Sequence, residues 1–253
     1  MPVLFVGHGN PMNAIEKNEF HNSWIELGKR LPMPKAILTV SAHWLTHGVT
    51  KVTAMKRPQT IHDFGGFPQE LYAQQYPAPG APALAGETEK LIHKVKVELD
   101  YEWGLDHGTW SFLLPMYPQA EIPVYQLSID YTQDPQFHYD LAKELRELRY
   151  KGVLIIGSGN IVHNLRTINF SGKPYDWAVE FDEKIKQLVL DKNHSPIINY
   201  KTIGDSAKLA VPTNDHYLPL LYSIALQEKN EHGTFFNEQT DLGSVSMRSL
   251  IIH

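Results

Sequence analysis

Near its start the chain reads Pro2-Val-Leu-Phe-Val-Gly-His-Gly-Asn-Pro-Met12, and two later stretches follow the same pattern. Its apolar run from Val3 to Val6 is short, partly β-branched and stopped by glycine, which is typical of a buried strand. Because glycines flank His8 and a proline follows at position 11, the imidazole is predicted to lie in a turn at the strand's carboxyl end. Ligands of open α/β sheets bind at that edge.

Two later stretches repeat this arrangement of an apolar strand followed by a histidine. Ala36-Ile-Leu-Thr-Val-Ser41 precedes His43, and Val153-Leu-Ile-Ile-Gly157 leads through a Gly-Ser-Gly-Asn turn to His163. Three histidines at strand ends suggest one shared site. The alternation of strand and helix patterns predicts an α/β fold, with a single domain over residues 1–253 and a central mixed β-sheet flanked by helices.

Composition narrows the classes of function. The 253 residues carry a net charge of -5 without a basic cluster, which argues against nucleic acid as a partner. The lack of cysteine excludes a disulfide framework and thiolate metal sites, and it fits a reducing compartment. No basic leader and no run of 18 apolar residues is present, so we expect a cytoplasmic protein with no membrane partner, either a monomer or a homodimer.

Thirteen histidines are a high proportion, and five of them lie in tight turns beside apolar runs. These are His8, His43, His107, His163 and His216. With no cysteine available, imidazole and carboxylate groups are the obvious ligands for a transition metal, and imidazole suits both Zn(II) and Fe(II). The sequence therefore predicts a shared, histidine-rich metal site. No complete dinucleotide fingerprint, P-loop, Gly-x-Ser-x-Gly elbow or His-Glu-x-x-His helix motif competes with it.

Six motifs follow one another over nearly the whole chain. They are Gly7-His-Gly-Asn-Pro-Met12, Ser41-Ala-His-Trp44, Thr60-Ile-His-Asp-Phe-Gly-Gly-Phe-Pro68, Gly104-Leu-Asp-His-Gly-Thr-Trp110, Gly157-Ser-Gly-Asn-Ile-Val-His-Asn-Leu165 and Asp215-His-Tyr-Leu-Pro-Leu220. Together they resemble the 4,5-DOPA extradiol dioxygenase family, a branch of the class III ring-opening dioxygenases. Each motif alone is weak, but six in register are specific.

The resemblance implies a metal site whose residues carry over by position. His8 and His43 match two metal ligands, and His216 matches a further histidine of that site. His163 matches a metal neighbour or the acid/base, whereas His107 matches a histidine beside the substrate. More distant class III enzymes add a glutamate ligand, for which we find no counterpart in a matching turn. We therefore expect one non-haem metal ion, Fe(II) for activity or Zn(II) as the bound ion.

The implied chemistry is the opening of a catechol ring at the 4,5 position with O₂, with L-DOPA or a related catechol as the small-molecule substrate. Such a reaction needs a metal with open coordination positions and an imidazole that exchanges protons near neutral pH. Asp63 and Asp106 are interpreted as turn-forming residues. Aromatic side chains that flank the motif turns are predicted to form a slot for the ring: Trp44, Phe64, Phe67, Trp110 and Tyr217.

Two alternatives use the same histidines. A zinc-dependent hydrolase would activate water, since zinc with an open position lowers the pKa of bound water to about 7. A non-catalytic, Memo-like metal-binding module would share the fold without turnover. Oxygen consumption with a catechol separates the dioxygenase from the hydrolase, whereas metal binding without any turnover favours the module.

Overall fold

The three apolar stretches that precede the histidine turns form neighbouring strands. The computed structural model describes residues 1–253. Its twelve strands, numbered along the chain, are β1 (Val3–Gly7), β2 (Ala36–Ser41), β3 (Leu45–Thr46), β4 (Thr50–Thr53), β5 (Val97–Asp100), β6 (Val124–Gln126), β7 (Ile129–Asp130), β8 (Val153–Gly159), β9 (Gly233–Phe236), β10 (Thr240–Asp241), β11 (Val245–Ser246) and β12 (Ser249–Ile252). Six of them form the central sheet in the order β6-β2-β8-β1-β12-β9.

This sheet is mixed, as predicted. Strands β6, β2, β8 and β1 are parallel to one another, β12 runs antiparallel to β1, and β9 runs antiparallel to β12. Three small two-stranded sheets pair β3 with β7, β4 with β5, and β10 with β11. The α/β class and the central mixed sheet with flanking helices are therefore confirmed.

Helices connect the strands, and local side chains set where several of them begin. The ten α-helices are α1 (Glu19–Arg30), α2 (Gln69–Tyr72), α3 (Pro82–Leu91), α4 (His107–Met116), α5 (Pro135–Lys143), α6 (Arg146–Tyr150), α7 (Asp176–Leu190), α8 (His194–Ile198), α9 (Asp205–Ala210) and α10 (Leu218–Ile224). Asn18 caps α1 by accepting a hydrogen bond from the backbone of His21 at 3.0 Å, and Asp134 caps α5 in the same way.

Alternate residues of β1 point into two separate apolar cores. Val3 and Phe5 belong to the core that α5, α7 and α10 complete, whereas Leu4 and Val6 belong to the core that α1 and α4 complete. Because helices cover both faces of the sheet, β1 is apolar throughout and does not alternate between apolar and polar residues.

None of the helices is both long and apolar enough to cross a bilayer. The cytoplasmic location and the choice between monomer and homodimer stay predictions.

Strand register aligns the ends of β1, β2 and β8 at one edge. Gly7 pairs with Gly159, and Ser41 pairs with Ser158. The backbone N–H of His8 donates to the carbonyl of Gly159 at 3.2 Å, which continues the ladder one residue past β1. The turns that carry the predicted site histidines therefore leave the sheet side by side.

A buried histidine remote from this edge gives the fold a predicted pH dependence. Burial lowers the pKa of His138 to about 4, although Asp130 and Asp134 oppose the shift. Its Nδ1 contacts the hydroxyl of Tyr222 at 2.9 Å. Because the pKa of this histidine is higher in the unfolded chain, the unfolded chain takes up the proton first as the pH falls. The fold therefore keeps its full free energy of unfolding above about pH 6.5 and loses part of it as the pH falls from there towards 4.

We expect this histidine to destabilise the fold by on the order of 2 kcal/mol between pH 7 and pH 5. Urea unfolding of the wild type and of His138→Gln at both pH values measures the effect. The variant should lose less stability on acidification than the wild type. Equal losses in the two proteins would contradict the assignment.

Candidate active site

Five histidines line one cavity at the carboxyl edge of the sheet. The cavity has a volume of about 320 Å³. The histidines come from the turns after β1, β2 and β8, from the first residue of α4, and from the turn before α10: His8, His43, His163, His107 and His216. All five histidines that sequence reasoning selected are therefore brought together.

Two glycines let the segments of the cavity wall approach closely. A Cβ atom at position 159 would collide with the carbonyl oxygen of His216, so glycine at the end of β8 allows that histidine to approach the sheet. A Cβ atom at position 108 would collide with the hydroxyl of Ser41 and lie 2.7 Å from Cδ2 of His43. Both sites need a residue without a side chain.

Neighbouring groups favour one tautomer in each of two adjacent imidazoles. The hydroxyl of Ser158 donates to the carbonyl of Gly108, so its oxygen accepts from Nδ1–H of His8 at 3.0 Å. Nδ1 of His43 faces a carboxylate oxygen of Asp63 at 3.4 Å, which favours the proton on that nitrogen. In both rings Nε2 is left with a free lone pair, and the two Nε2 atoms lie 3.1 Å apart.

Two lone pairs at this separation repel each other unless a cation lies between them. Nitrogens that are each about 2.1 Å from one metal ion are separated by roughly the distance seen here. Burial, followed by the neighbouring histidines, holds the pKa of both His8 and His43 well below the ordinary range. The two imidazoles are thus neutral, which is the state in which imidazole binds metals, and the donor set fits a transition-metal ion.

Either His107 or His216 can supply a third imidazole to the metal site. Ligand nitrogens of His8, His43 and His107 all lie within 4.8 Å of one another. His107 is held by Asp63, whose Oδ1 lies 3.0 Å from its Nδ1 and accepts from its backbone N–H at 2.9 Å. The nitrogen spacing therefore adds His107 to the candidate ligands, whereas the resemblance implied a role beside the substrate.

The distances between the imidazole rings instead favour His216 as the third ligand. The ring centroids of His8, His43 and His216 form a nearly equilateral triangle with sides of 5.1, 5.0 and 5.4 Å. Two imidazoles bound to one ion at a tetrahedral angle would have centroids about 5.2 Å apart. The centroids of His43 and His107 are only 3.8 Å apart, which is too close for two rings radiating from one ion. The nitrogen distances thus favour His8, His43 and His107 as ligands, whereas the centroid distances favour His8, His43 and His216. The centroid distances are the stronger indication, because rotation of an imidazole ring changes them less than it changes the positions of its nitrogens.

His163 lies against His216, outside the triangle of the three ring centroids. Its ring stacks on His216 with a centroid separation of 3.6 Å and an interplanar angle of 6°. Its backbone N–H donates to the carbonyl of Ala210 at 2.9 Å, which fixes the turn after β8. Burial, and then the neighbouring His216, lower the pKa of His163 to about 3. The imidazole therefore faces the cavity in its neutral form.

Only two of the five predicted aromatic residues line the cavity. Phe64 and Phe67 do so, and the Phe64 ring lies 5.5 Å from that of His107. Trp44 instead stacks on Trp103 with a centroid separation of 5.7 Å. The two phenylalanines thus remain candidates for contact with an aromatic substrate.

The other two aromatic residues are packed in the core. Trp110 donates from Nε1 to the carbonyl of Ile61 at 2.8 Å, and Tyr217 donates to the carbonyl of Ile197 at 2.9 Å. Both side chains are almost fully buried, and a hydrogen bond to a backbone carbonyl satisfies the polar group of each. Trp44, Trp110 and Tyr217 therefore do not line the cavity, and their proximity in sequence to a motif turn did not reveal these side-chain directions.

Of the two aspartates that were interpreted as turn residues, Asp63 supports the histidines directly. Asp63 contacts both His43 and His107. Burial raises the pKa of its carboxyl group, but the contacts with His107 outweigh this effect and lower the pKa overall. Asp106 is buried and accepts from Ser41 at 2.6 Å and from Gln126 at 2.7 Å.

We expect Asp63→Asn to weaken metal affinity by about ten- to a hundredfold, the usual cost of losing a carboxylate that orients a ligand histidine. Competition with a chromophoric chelator measures the affinity. Glu70→Gln, which changes an exposed carboxylate on the nearby helix α2, is the matched control. Equal affinities for both variants would remove Asp63 from the support of the site.

Neutral imidazoles around a cavity at the carboxyl edge of a mixed sheet define a candidate mononuclear metal enzyme. The family described as "Catalytic LigB subunit of aromatic ring-opening dioxygenase" matches residues 2–240, and the chain belongs to this family.

Relatives of the chain support the same assignment over its whole length. It is 47% identical to 4,5-DOPA dioxygenase extradiol of Escherichia coli K12, covering 100% of this chain and 94% of the relative. It is 36% identical to 4,5-DOPA dioxygenase extradiol of Mirabilis jalapa, covering 90% and 87%. The crystal structure of an uncharacterized protein from Escherichia coli K12 superposes with a TM-score of 0.87 at 42% identity, covering all of both chains.

These findings confirm the predicted family and the predicted class of enzyme, an extradiol ring-opening dioxygenase. They favour that class over the zinc hydrolase and over the non-catalytic module. Enzymes of this family use a non-haem metal, and the imidazoles described above supply a place for one ion.

Proposed function

We propose that this protein opens the ring of L-DOPA, or of a closely related catechol, between carbons 4 and 5. The names and the full-length similarity of the relatives support this substrate. The observation that carries the proposal is the convergence of five imidazoles on one 320 Å³ cavity that also exposes two phenylalanine rings. A cavity of this size is at the lower end of small-molecule sites and suits a single aromatic ring with a short arm.

The metal in this proposal is Fe(II), held by His8, His43 and His216. Free lone pairs on His8 and His43 and the triangular spacing of the three rings support this set. Bound Fe(II) would supply coordination positions for both catechol oxygens and for O₂. Zinc would occupy the same imidazoles, but it undergoes no redox change.

The other residues of the cavity position the substrate and move its protons. His107, oriented by Asp63, would donate to or accept from an oxygen at the reacting edge of the ring. Phe64 and Phe67 would pack against the ring, and His163 would take a proton from the catechol and return it to the product. Both atoms of O₂ enter the product as a carboxylate oxygen and an aldehyde oxygen, so no external reductant is consumed.

Product analysis tests the proposed reaction. Iron-loaded protein is incubated with L-DOPA under ¹⁸O₂, and the product is examined by mass spectrometry and NMR. We expect a ring-opened semialdehyde cut between carbons 4 and 5, with ¹⁸O in its new carboxylate. Cleavage between the two hydroxylated carbons, or a product without ¹⁸O, would contradict the proposal.

A further inference from the structure

We propose that Asp241 recognises a cationic group on the arm of the substrate, so that the cavity selects catechols with an ammonium-bearing arm over those with an acidic arm. This inference rests on the proposed function and adds a specificity residue to it. The ring-opening chemistry itself does not require such a group.

Asp241 is the only acidic residue that lines the cavity. Fifteen residues line the cavity, and apart from the five histidines Asp241 is the only one with an ionisable side chain. No lysine or arginine contributes to the wall. An arm whose only charge is a carboxylate would therefore face Asp241 without any compensating cation, whereas an ammonium, such as the one on the arm of L-DOPA, would find its counter-ion.

The carboxylate of Asp241 is available for such a contact. Its Oδ1 accepts from the backbone N–H of Leu242 at 2.8 Å, and its other oxygen makes no hydrogen bond. It forms no salt bridge with any lysine or arginine, although the side chain is half-buried. A half-buried carboxylate without a cationic partner has more to gain from binding an ammonium than a fully solvated one.

Strand pairing places Asp241 at a suitable distance from the reacting end of the cavity. Asp241 lies opposite Val245 in the pairing of β10 with β11, and Val245 in turn lies opposite His163. Two strand spacings separate the backbones of Asp241 and His163 by about 10 Å. Val245 lines the cavity between them. A catechol with its ring near the histidines and a two-carbon arm directed along Val245 would reach Asp241.

Three catechols with arms of similar length test this assignment. Dopamine has an ammonium arm, 4-ethylcatechol a neutral arm and 3,4-dihydroxyphenylacetate an acidic arm. Anaerobic calorimetry on the zinc-loaded protein gives dissociation constants without turnover, and oxygen uptake by the iron-loaded protein gives kcat/KM. Asp241→Asn keeps an acceptor oxygen for Leu242 and removes the charge, and Glu121→Gln, an exposed surface carboxylate, is the control.

We expect the wild type to bind dopamine at least about tenfold more tightly than the neutral catechol, and the acidic catechol more weakly than either. Asp241→Asn should remove most of the preference for dopamine through its affinity and KM, with binding of 4-ethylcatechol unchanged. Glu121→Gln should behave as the wild type.

The outcomes separate this inference from the proposed function. Turnover of all three catechols with no preference for dopamine, or a preference that survives in Asp241→Asn, would overturn the role of Asp241 and leave the dioxygenase assignment intact. Failure of the iron-loaded wild type to consume O₂ with any catechol would overturn the proposed function.

Discussion

Replacing His8 or His43 by alanine is expected to abolish stoichiometric binding of Fe(II) and Zn(II), and with it catechol cleavage. The two Nε2 atoms lie 3.1 Å apart with free lone pairs, so each is half of the same binding site. Loss of a direct ligand should cost more than the ten- to hundredfold typical of a supporting residue. Metal content after dialysis and affinity by chelator competition measure the effect.

The control for this prediction is His93→Ala, an exposed histidine outside the cavity, which should retain one metal ion per chain. The same measurement separates the two triads. If His216 is the third ligand, His216→Ala loses the metal and His107→Ala keeps it with lower activity. The reverse pattern would assign the third position to His107, and full metal retention by His8→Ala or His43→Ala would remove that residue from the ligand set.

The second large effect is expected at His163. Removal of a general acid/base typically lowers kcat by about 10²- to 10⁴-fold, and we expect His163→Ala and His163→Gln to fall in this range. Because its ring stacks on His216 rather than completing the triangle, metal content and KM should change little. Steady-state oxygen uptake together with metal analysis measures both quantities.

The glutamine variant is the matched control for packing at His163, since it retains a polar side chain that can cover His216 but has no basic ring nitrogen that could accept a proton. Similar losses of kcat in both variants, at full metal content, support proton transfer. A kcat near the wild-type value in the glutamine variant would assign His163 a packing role, and loss of metal in both variants would make it a ligand.

The sequence carried strong information on the sheet and on the histidines at its edge. Short, partly β-branched apolar runs are typical of buried strands, so β1, β2 and β8 could be predicted along with the shared edge. The Gly-Ser-Gly stretch that was read as a turn after Gly157 instead continues β8 to Gly159. His107 and His216 were selected because they too lie in tight turns beside apolar runs. Their place in one cavity depended on how α4 and α10 pack, which no local pattern specifies.

The other parts of the site depend on side-chain directions and on the path of the chain, and local sequence patterns specify neither. Asp63 reaches both His43 and His107 only because the segment between β4 and α3 packs beside the turn after β2 and the start of α4. Trp110 and Tyr217 lie close to motif histidines in sequence, yet their side chains are buried in the core. Asp241 is brought to the cavity by the pairing of β10 with β11, which involves only two residues of each strand.

Oxygen uptake by apoprotein that has been reconstituted anaerobically with Fe(II) and, separately, with Zn(II) tests whether this cavity carries out extradiol cleavage. L-DOPA and air are then added while O₂ and the visible absorbance of a yellow ring-opened product are recorded. We predict one O₂ consumed per L-DOPA, with colour, in the iron sample alone. No uptake with either metal, across several catechols, would contradict the assignment of this histidine cavity as the active site of an extradiol dioxygenase.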